Sequence, residues 1–105
     1  MMQNTLSWTQ LHDATLLRVE CRWEDGRFSL HLRTGIAACP EVQVVATGGR
    51  RLDCPRMHPW GPSVSVNEVR GPTQLASENL QRLEIEMQSG DVLVLVAEEF
   101  QIVAA

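Results

Sequence analysis

Two adjacent residues near the start of the chain have side chains that could act together. His12 precedes Asp13, and a histidine oriented by a carboxylate can serve as a general base. Neighbouring residues of an extended chain point to opposite faces, so this pair can cooperate only if the backbone turns between them. The alternative is structural, with Asp13 turning onto the backbone and His12 hydrogen-bonding locally before the first strand. We expect the structural role.

Three further residues could bind a metal ion. Cys39, Cys54 and His58 follow the spacing C-x14-C-x3-H and would supply three of the four ligands of a zinc site. Structural zinc sites normally contain two cysteines with about two to four residues between them, and this chain has no such pair. A fourth ligand, such as His12 or Asp53, would have to come from elsewhere. We therefore expect no metal and no cofactor.

Cys54 could also be a nucleophile, with His58 or His12 as its base. The residue types suffice, but no local sequence signature of a cysteine enzyme surrounds Cys54. A small hydrolase or metal-dependent enzyme centred on His12, Asp13, Cys54 and His58 is therefore the alternative to a non-enzymatic function.

Trp60 is the candidate for binding a partner. It stands between Pro59 and Pro62, in a loop that loses little entropy on docking, and tryptophan is enriched at binding hot spots. The alternative is that the ring folds back over one end of the core.

Composition limits what these residues can belong to. The chain has 105 residues, enough for one domain over residues 1–105, and 44% of them are hydrophobic. All nine basic residues are arginines, so a lysine nucleophile and a phosphate-loop lysine are excluded. The net charge of −4 argues against nucleic acids and anionic membranes as partners.

Cysteine number and hydrophobic runs indicate the compartment. Three cysteines without close pairing do not form a disulfide framework, and the first residues do not resemble a secretory signal. No apolar run approaches the ~20 residues of a membrane helix. We expect a reduced, cytoplasmic protein.

Alternating hydrophobicity predicts a mainly β fold, α+β at most. Asp25-Gly26 lies between two alternating runs and is typical of a two-residue hairpin turn. This turn would place Trp23 opposite Phe28 and Cys21 opposite Leu30, with all four side chains in the core. On the other, charged face, we expect His31 to be a solvent-side partner of Glu20.

A second hairpin is predicted around Ser89-Gly90. In the expected register, Leu83, Ile85 and Met87 oppose Val96, Val94 and Val92. Glu84 and Glu86 then share the other face with Leu95 and Leu93. The return strand is apolar on both faces, which is typical of a central strand that is covered on both sides.

This register predicts a docking surface. Glu84, Glu86, Leu93 and Leu95 would form a face that needs a cover, either from a second copy of the chain or another protein, or from a loop or short helix of the chain itself. A merely solvated charged face is the alternative for the two glutamates.

The middle of the chain is less regular. We expect a third hairpin around Gly48-Gly49 that ends at Pro55, a short strand at Val64 to Val66, and one short helix near residues 74–80. The strands at residues 83–96 would be followed by a further, terminal strand. Together these elements predict antiparallel hairpins that form a sandwich or a partly open barrel.

The chain resembles small bacterial domains of unknown function that open with a tryptophan, a short spacer and a Leu-His-Asp-Ala run. Here that opening is Trp8-Thr9-Gln10-Leu11-His12-Asp13-Ala14, and the similarity returns in residues 59–63 and 86–92. Some such domains are thought to be immunity proteins of polymorphic toxin systems. The resemblance implies a toxin as partner and offers no catalytic residues to transfer.

The expected function is accordingly a non-enzymatic protein-interaction module. Its partner would be another protein or a second copy of the chain, which would then be a homo-oligomer. Nucleic acid and membrane are not expected as partners.

Overall fold

The computed structural model describes residues 7–37, 40–57, 64–76 and 79–104. These residues form one antiparallel sheet in the order β1-β2-β3-β6-β5-β4. Its strands are β1 (Thr15–Arg22), β2 (Arg27–Arg33), β3 (Glu41–Asp53), β4 (Val66–Gln74), β5 (Gln81–Met87) and β6 (Val92–Ala104). Two 3-10 turns, at Trp8–Leu11 and Trp23–Asp25, complete the regular structure of this part of the chain. The prediction of a mainly β fold made of antiparallel hairpins is confirmed.

The sheet curls until the starts of its two edge strands meet. The Leu16 amide donates to the Val64 carbonyl at 2.6 Å, and the Val66 amide donates to the Ala14 carbonyl at 2.9 Å. Thr15 and Ser65 thereby form an isolated antiparallel bridge. In the described residues β1 and β4 are joined only at this end, so the fold is a partly open barrel.

The core lies inside this curl. Its largest fully buried side chains are Leu11, Phe28, Leu30, Leu32, Val42, Val44, Val66, Leu83, Ile85, Met87 and Leu95. They come from all of β2 to β6 and from the first 3-10 turn. Within the described residues, no helix has the length and hydrophobicity needed to span a bilayer.

The predicted third hairpin is wrong, because the glycines bend a strand instead of reversing it. β3 continues through Gly48-Gly49, and a bulge shifts its register with β6 between Gly49 and Arg51. Gly48 has a φ of 63°, and a Cβ on Gly49 would meet the Phe28 ring at 2.6 Å. Gly48 adopts the positive φ of the bend and Gly49 leaves room for the Phe28 ring, so the two glycines allow β3 to bend around Phe28. The predicted terminal strand is likewise the second half of β6.

The short helix near residues 74–80 is also not found in the described residues of that segment. Gln74 ends β4, and the Leu75 amide donates to the Leu80 carbonyl at 2.8 Å, which closes a hairpin. The residue before Gln74, Thr73, pairs with Arg82 of β5 and so belongs to the sheet. Pairing between neighbouring strands thus outweighs the weak local helix signal. The predicted short strand is the start of β4, which begins at Val66.

The first hairpin forms with a longer turn than predicted. Cys21 pairs with Phe28 and Val19 with Leu30, a shift of two residues that keeps every side chain on its predicted face. Phe28 and Leu30 are buried as expected, but Cys21 and Trp23 are exposed. The expectation of a core position for these two was wrong, since the turn removes Trp23 from the strand and Cys21 lies at the end of an edge strand.

The outer face of the same hairpin carries the predicted polar contact. The His31 ring nitrogen Nε2 lies 2.6 Å from Glu20 Oε1. Glu20 stands opposite Ser29, so the contact runs diagonally across the two strands. The solvent-side pairing of His31 with Glu20 is therefore confirmed in a shifted register.

The second hairpin differs from the prediction by one residue, which exchanges its faces. Leu83 pairs with Leu95 and Ile85 pairs with Leu93, so both leucines of β6 lie in the core at 0% and 2% exposure. The expected exposed positions of Leu93 and Leu95 are therefore wrong. The cause is the turn, in which the Met87 amide donates to the Asp91 carbonyl at 2.7 Å and thereby sets the register.

β6 is central and apolar on both faces, as predicted. Its outward-facing Val94 and Val96 are only 8% and 9% exposed. Val94 is flanked by Asp53 and Glu84 on the neighbouring strands, and Val96 stands in the same way between two arginines, Arg51 and Arg82. The stems of such long side chains can cover apolar surface, so this face does not need a second chain to cover it.

Candidate binding surface

Exposed large apolar side chains gather along β1 and the chain beside it. Leu17 is 45% exposed, and Trp23, directly after the strand, is 75% exposed. Val19, Met57 and Val64 belong to the same region, because Val64 pairs with β1 and Met57 follows a segment that lines the strand. Among the described residues only Val103 is a comparably exposed large apolar side chain elsewhere. Such concentration on one edge is typical of an interaction site.

A groove runs beside β1. Its volume is about 230 Å³, and its walls are Leu16, Leu17, Arg18, Val19, Arg56 and Val64. A smaller cavity of about 90 Å³ adjoins it and reaches Cys54, Pro55 and Leu93. The groove is therefore a cleft of mixed character, with apolar side chains and two arginines in its wall, which suits an aromatic group from a partner.

The outer side of β1 carries alternating charges. Arg18 lies 3.5 Å from Glu20, and Arg22 lies 3.3 Å from Asp25 in the turn. Arg56 of the groove has no acidic partner within 4 Å among the described residues. This edge therefore presents both signs of charge to a partner.

The backbone of β1 is unpaired along most of its outer side. Within the described chain, Val64 and Ser65 pair with Thr15 and Leu16, and nothing described pairs beyond Leu16. The bulge at Leu17 shifts the alternation by one, so the amide and carbonyl groups of Val19 and Cys21 point to this free side. An unpaired strand edge is a template for another strand.

The backbone turn that a His12–Asp13 pair requires is present. Asp13 has a φ of 66°, and His12 Nε2 lies 3.6 Å from Asp13 Oδ1. His12 Nδ1 donates to the Asn67 carbonyl, and Asp13 Oδ1 accepts from the Gln88 side chain at 2.6 Å. These contacts tie the first turn to β4 and to the turn after β5 at the point where the barrel closes. They favour the structural interpretation of His12-Asp13.

Cys54 is poorly suited to nucleophilic chemistry. Partial withdrawal from water and, to a smaller extent, the neighbouring negative charge of Asp53 together raise the pKa of its thiol to about 11. Very little thiolate is therefore present at neutral pH. Cys54 lines the small cavity beside β1 together with apolar residues such as Leu16 and Leu93. His58 lies outside the described residues.

The described residues contain no group of three or more His, Cys, Asp or Glu that could hold a metal ion. Two members of the C-x14-C-x3-H pattern, Cys39 and His58, lie outside the described part of the chain, so the structure does not test the pattern as a whole.

Chelation should leave the melting temperature of the protein unchanged. If Cys39, Cys54 and His58 held a structural zinc ion, its binding energy would be folding energy, and a strong chelator would unfold the domain. Thermal melts followed by circular dichroism, with and without chelator, provide the test. Stoichiometric zinc in protein purified without added metal would contradict the prediction.

Glu84 and Glu86 belong to an ion-pair network on the outer face of β4 and β5. Arg70 donates to Glu84 at 3.1 Å, to Glu86 at 3.0 Å and to Glu68 at 2.8 Å. Arg82 donates to Glu84 at 2.8 Å. Much of the negative charge is thus paired within the sheet. A docking role for the two glutamates stays a prediction, but Leu93 and Leu95 do not share their face.

The same hydrogen bonds shift the pKa values of the two carboxyl groups. Those from Arg82 and then Arg70 lower the pKa of Glu84, and those from Arg70 and then Asn67 lower the pKa of Glu86. A carboxyl with a lowered folded-state pKa contributes stability above its ordinary pKa, and this contribution is lost as pH falls through the lowered value.

Arg70→Met should therefore reduce the loss of stability in acid. In the wild type, the free energy of unfolding should fall as the pH drops from about 5 toward 2. The variant should be less stable near neutral pH and should approach the wild type at the acidic end. Urea melts across this pH range test it, with Arg27→Met as control because Arg27 has no ion pair among the described residues. Parallel pH curves for all three proteins would contradict the prediction.

The apolar residues that the structure exposes along β1 differ from the binding residues expected from the sequence. Trp60 lies outside the described residues, so its binding role stays a prediction. Leu17, Val19 and Trp23 were missed. The available signal was the closeness of Trp23 to Asp25-Gly26, since a four-residue turn at that place leaves the tryptophan outside the strand.

No protein-family model, curated protein or solved structure matches the chain. Inference about its function therefore depends on the surface described above.

Proposed function

We propose that the protein is a non-enzymatic protein-binding module whose docking surface is the free edge of β1 and the groove beside it. The observation that carries this proposal is the concentration of exposed apolar side chains at Leu17, Val19 and Trp23, on a strand edge that has no pairing partner beyond Leu16 within the described residues. Strand edges bind through backbone hydrogen bonds, while side-chain pockets select the partner. Tryptophan is among the commonest hot-spot residues.

Two further observations favour binding over catalysis. The high thiol pKa of Cys54 disfavours a cysteine nucleophile. The His12 ring and the Asp13 carboxylate hold β4 and the Gln88 side chain at the closure of the barrel. The alternative of a small hydrolase or metal-dependent enzyme is therefore the weaker proposal.

An immunity-like role is a finer form of the proposal. The Trp8 to Ala14 opening resembles domains that are thought to neutralise toxins, and such a role requires only a specific binding surface. The free thiols of Cys21 and Cys54 suit a reducing compartment, so we place the protein in the cytoplasm.

The test compares two apolar-to-acidic variants of matched exposure. Leu17→Glu lies at the proposed surface, whereas Val103→Glu lies on β6 at 37% exposure, in a different part of the sheet. Each tagged variant is expressed in the source organism, and the proteins that copurify with it are quantified by mass spectrometry.

The proposal expects at least one copurifying protein, or untagged copies of the chain, to be lost at least tenfold in Leu17→Glu and retained in Val103→Glu. Both variants should show wild-type circular dichroism. Equal retention in the two variants would refute the β1 surface. A turnover activity abolished by His12→Ala or Cys54→Ser would support the enzyme instead.

A further inference from the structure

We propose that the β1 edge binds a second copy of this chain, with the two β1 strands antiparallel and related by a twofold axis at Val19. The proposal rests on the protein-binding function above and names the partner. The two sheets would then join edge to edge.

The length of the free edge defines the segment that can pair. Val64 already occupies the outer side of Leu16, and β1 ends at Arg22. Among the described residues, the outer side of the five residues Leu17 to Cys21 therefore has no pairing partner. Because the backbone groups of Val19 and Cys21 point outward, Val19 can exchange both of its hydrogen bonds with Val19 of the other copy.

Charge favours an axis at Val19 over the neighbouring axis at Glu20. Directly opposed residues of two antiparallel strands have their side chains on the same face of the sheet. An axis midway between two successive residues would oppose side chains of different faces, so the axis must lie level with a residue. An axis at Val19 places each Arg18 opposite the other copy's Glu20, which gives two opposite-charge pairs. An axis at Glu20 would place two glutamates face to face and Arg18 opposite Arg22, which is unfavourable.

The same register places the exposed Trp23 near the groove of the other copy. Trp23 lies in the turn directly after β1, so an axis at Val19 brings it toward the end of the other copy's β1 where Val64 and Ser65 pair. The bridge between Thr15 and Ser65 lies directly beside Val64, which lines the groove. Each Trp23 therefore comes close to the other copy's groove, where apolar walls and Arg56 suit an indole ring. One arrangement thus accounts for the edge, the charges, the groove and the tryptophan.

Charge reversal and charge exchange test the register. Sedimentation equilibrium of the full chain is measured for the wild type, Arg18→Glu, Glu20→Arg and the double variant Arg18→Glu/Glu20→Arg. The proposal expects a dimer in the wild type and at least a tenfold weaker dimer in either single variant, because like charges then face each other. The double variant should recover most of the affinity. Trp23→Ala should also weaken association, whereas Val103→Glu should not.

Circular dichroism confirms that each variant is folded, and a variant that fails to fold is replaced by Arg18→Gln or Glu20→Gln. A wild type that stays monomeric at the highest soluble concentration overturns self-pairing. If Leu17→Glu still loses a different copurifying protein in that case, the protein-binding function stands without the dimer. A wild-type dimer that both single charge reversals leave intact overturns this register, and with it the proposal.

Discussion

Leu93→Arg should unfold the domain, whereas Val92→Arg should leave it folded. Leu93 is 2% exposed and faces the core opposite Ile85, so an arginine there buries a charge without a partner. Val92 points to the outer face opposite Glu86, where an arginine side chain can reach water and a carboxylate. Both substitutions replace a branched aliphatic side chain with arginine one residue apart, so the main difference between them is the face that they modify.

Circular dichroism and thermal melts of the two variants measure the difference. We expect loss of the folded signal at 25 °C for Leu93→Arg and a cooperative melt for Val92→Arg. A folded Leu93→Arg variant together with an unfolded Val92→Arg variant would show that the register is the one first predicted from the sequence.

Phe28→Ala should cost about 3 to 5 kcal/mol of unfolding free energy, while His31→Ala should cost under about 1 kcal/mol. The Phe28 ring is fully buried and packs within reach of Gly49, so its removal leaves a cavity that the bent β3 strand closes only in part. His31 lies on the outer face of the same strand, and its recorded partners there are the exposed side chains of Arg18 and Glu20.

Denaturant melts of both variants provide these values. Both substitutions truncate a ring to alanine within β2, so His31→Ala controls for the strand itself. Equal losses in the two variants would contradict the assignment of inner and outer faces in this hairpin.

The strands themselves were predictable from the sequence, because alternation of apolar and polar residues is a local signal. Both hairpins and the central, doubly apolar β6 follow from it. The registers of the paired strands were harder to predict, since they depend on the conformation of the turn. Around Asp25-Gly26 the error was two residues, and the faces were kept; around Ser89-Gly90 it was one residue, and the faces of β6 were exchanged.

Long-range geometry explains the other errors. Gly48-Gly49 has the composition of a hairpin turn, and only the approach of β3 to the Phe28 ring and to the Gly26 carbonyl shows that the pair bends a continuous strand. The exposure of Trp23 and Cys21 likewise depends on β1 being an edge strand, which strand order decides and local sequence does not.

The candidate site was predictable only in part for the same reason. His12-Asp13 and Glu84 with Glu86 were visible as residue types, but the partners that hold them, Asn67, Gln88 and Arg70, lie far away in sequence. The β1 edge could not be recognised before the strand order was known.

Amide hydrogen exchange at Val19 and Cys21 tests the role of the β1 edge most directly. Exchange is followed by NMR over a range of protein concentrations, with Leu30 in the middle of the sheet as the internal reference. If β1 is the docking edge for a second copy, the Val19 and Cys21 amides should become at least tenfold more protected as concentration rises, and the Leu30 amide should not change. Fast exchange of both amides at every concentration would contradict the pairing of β1 with a second copy.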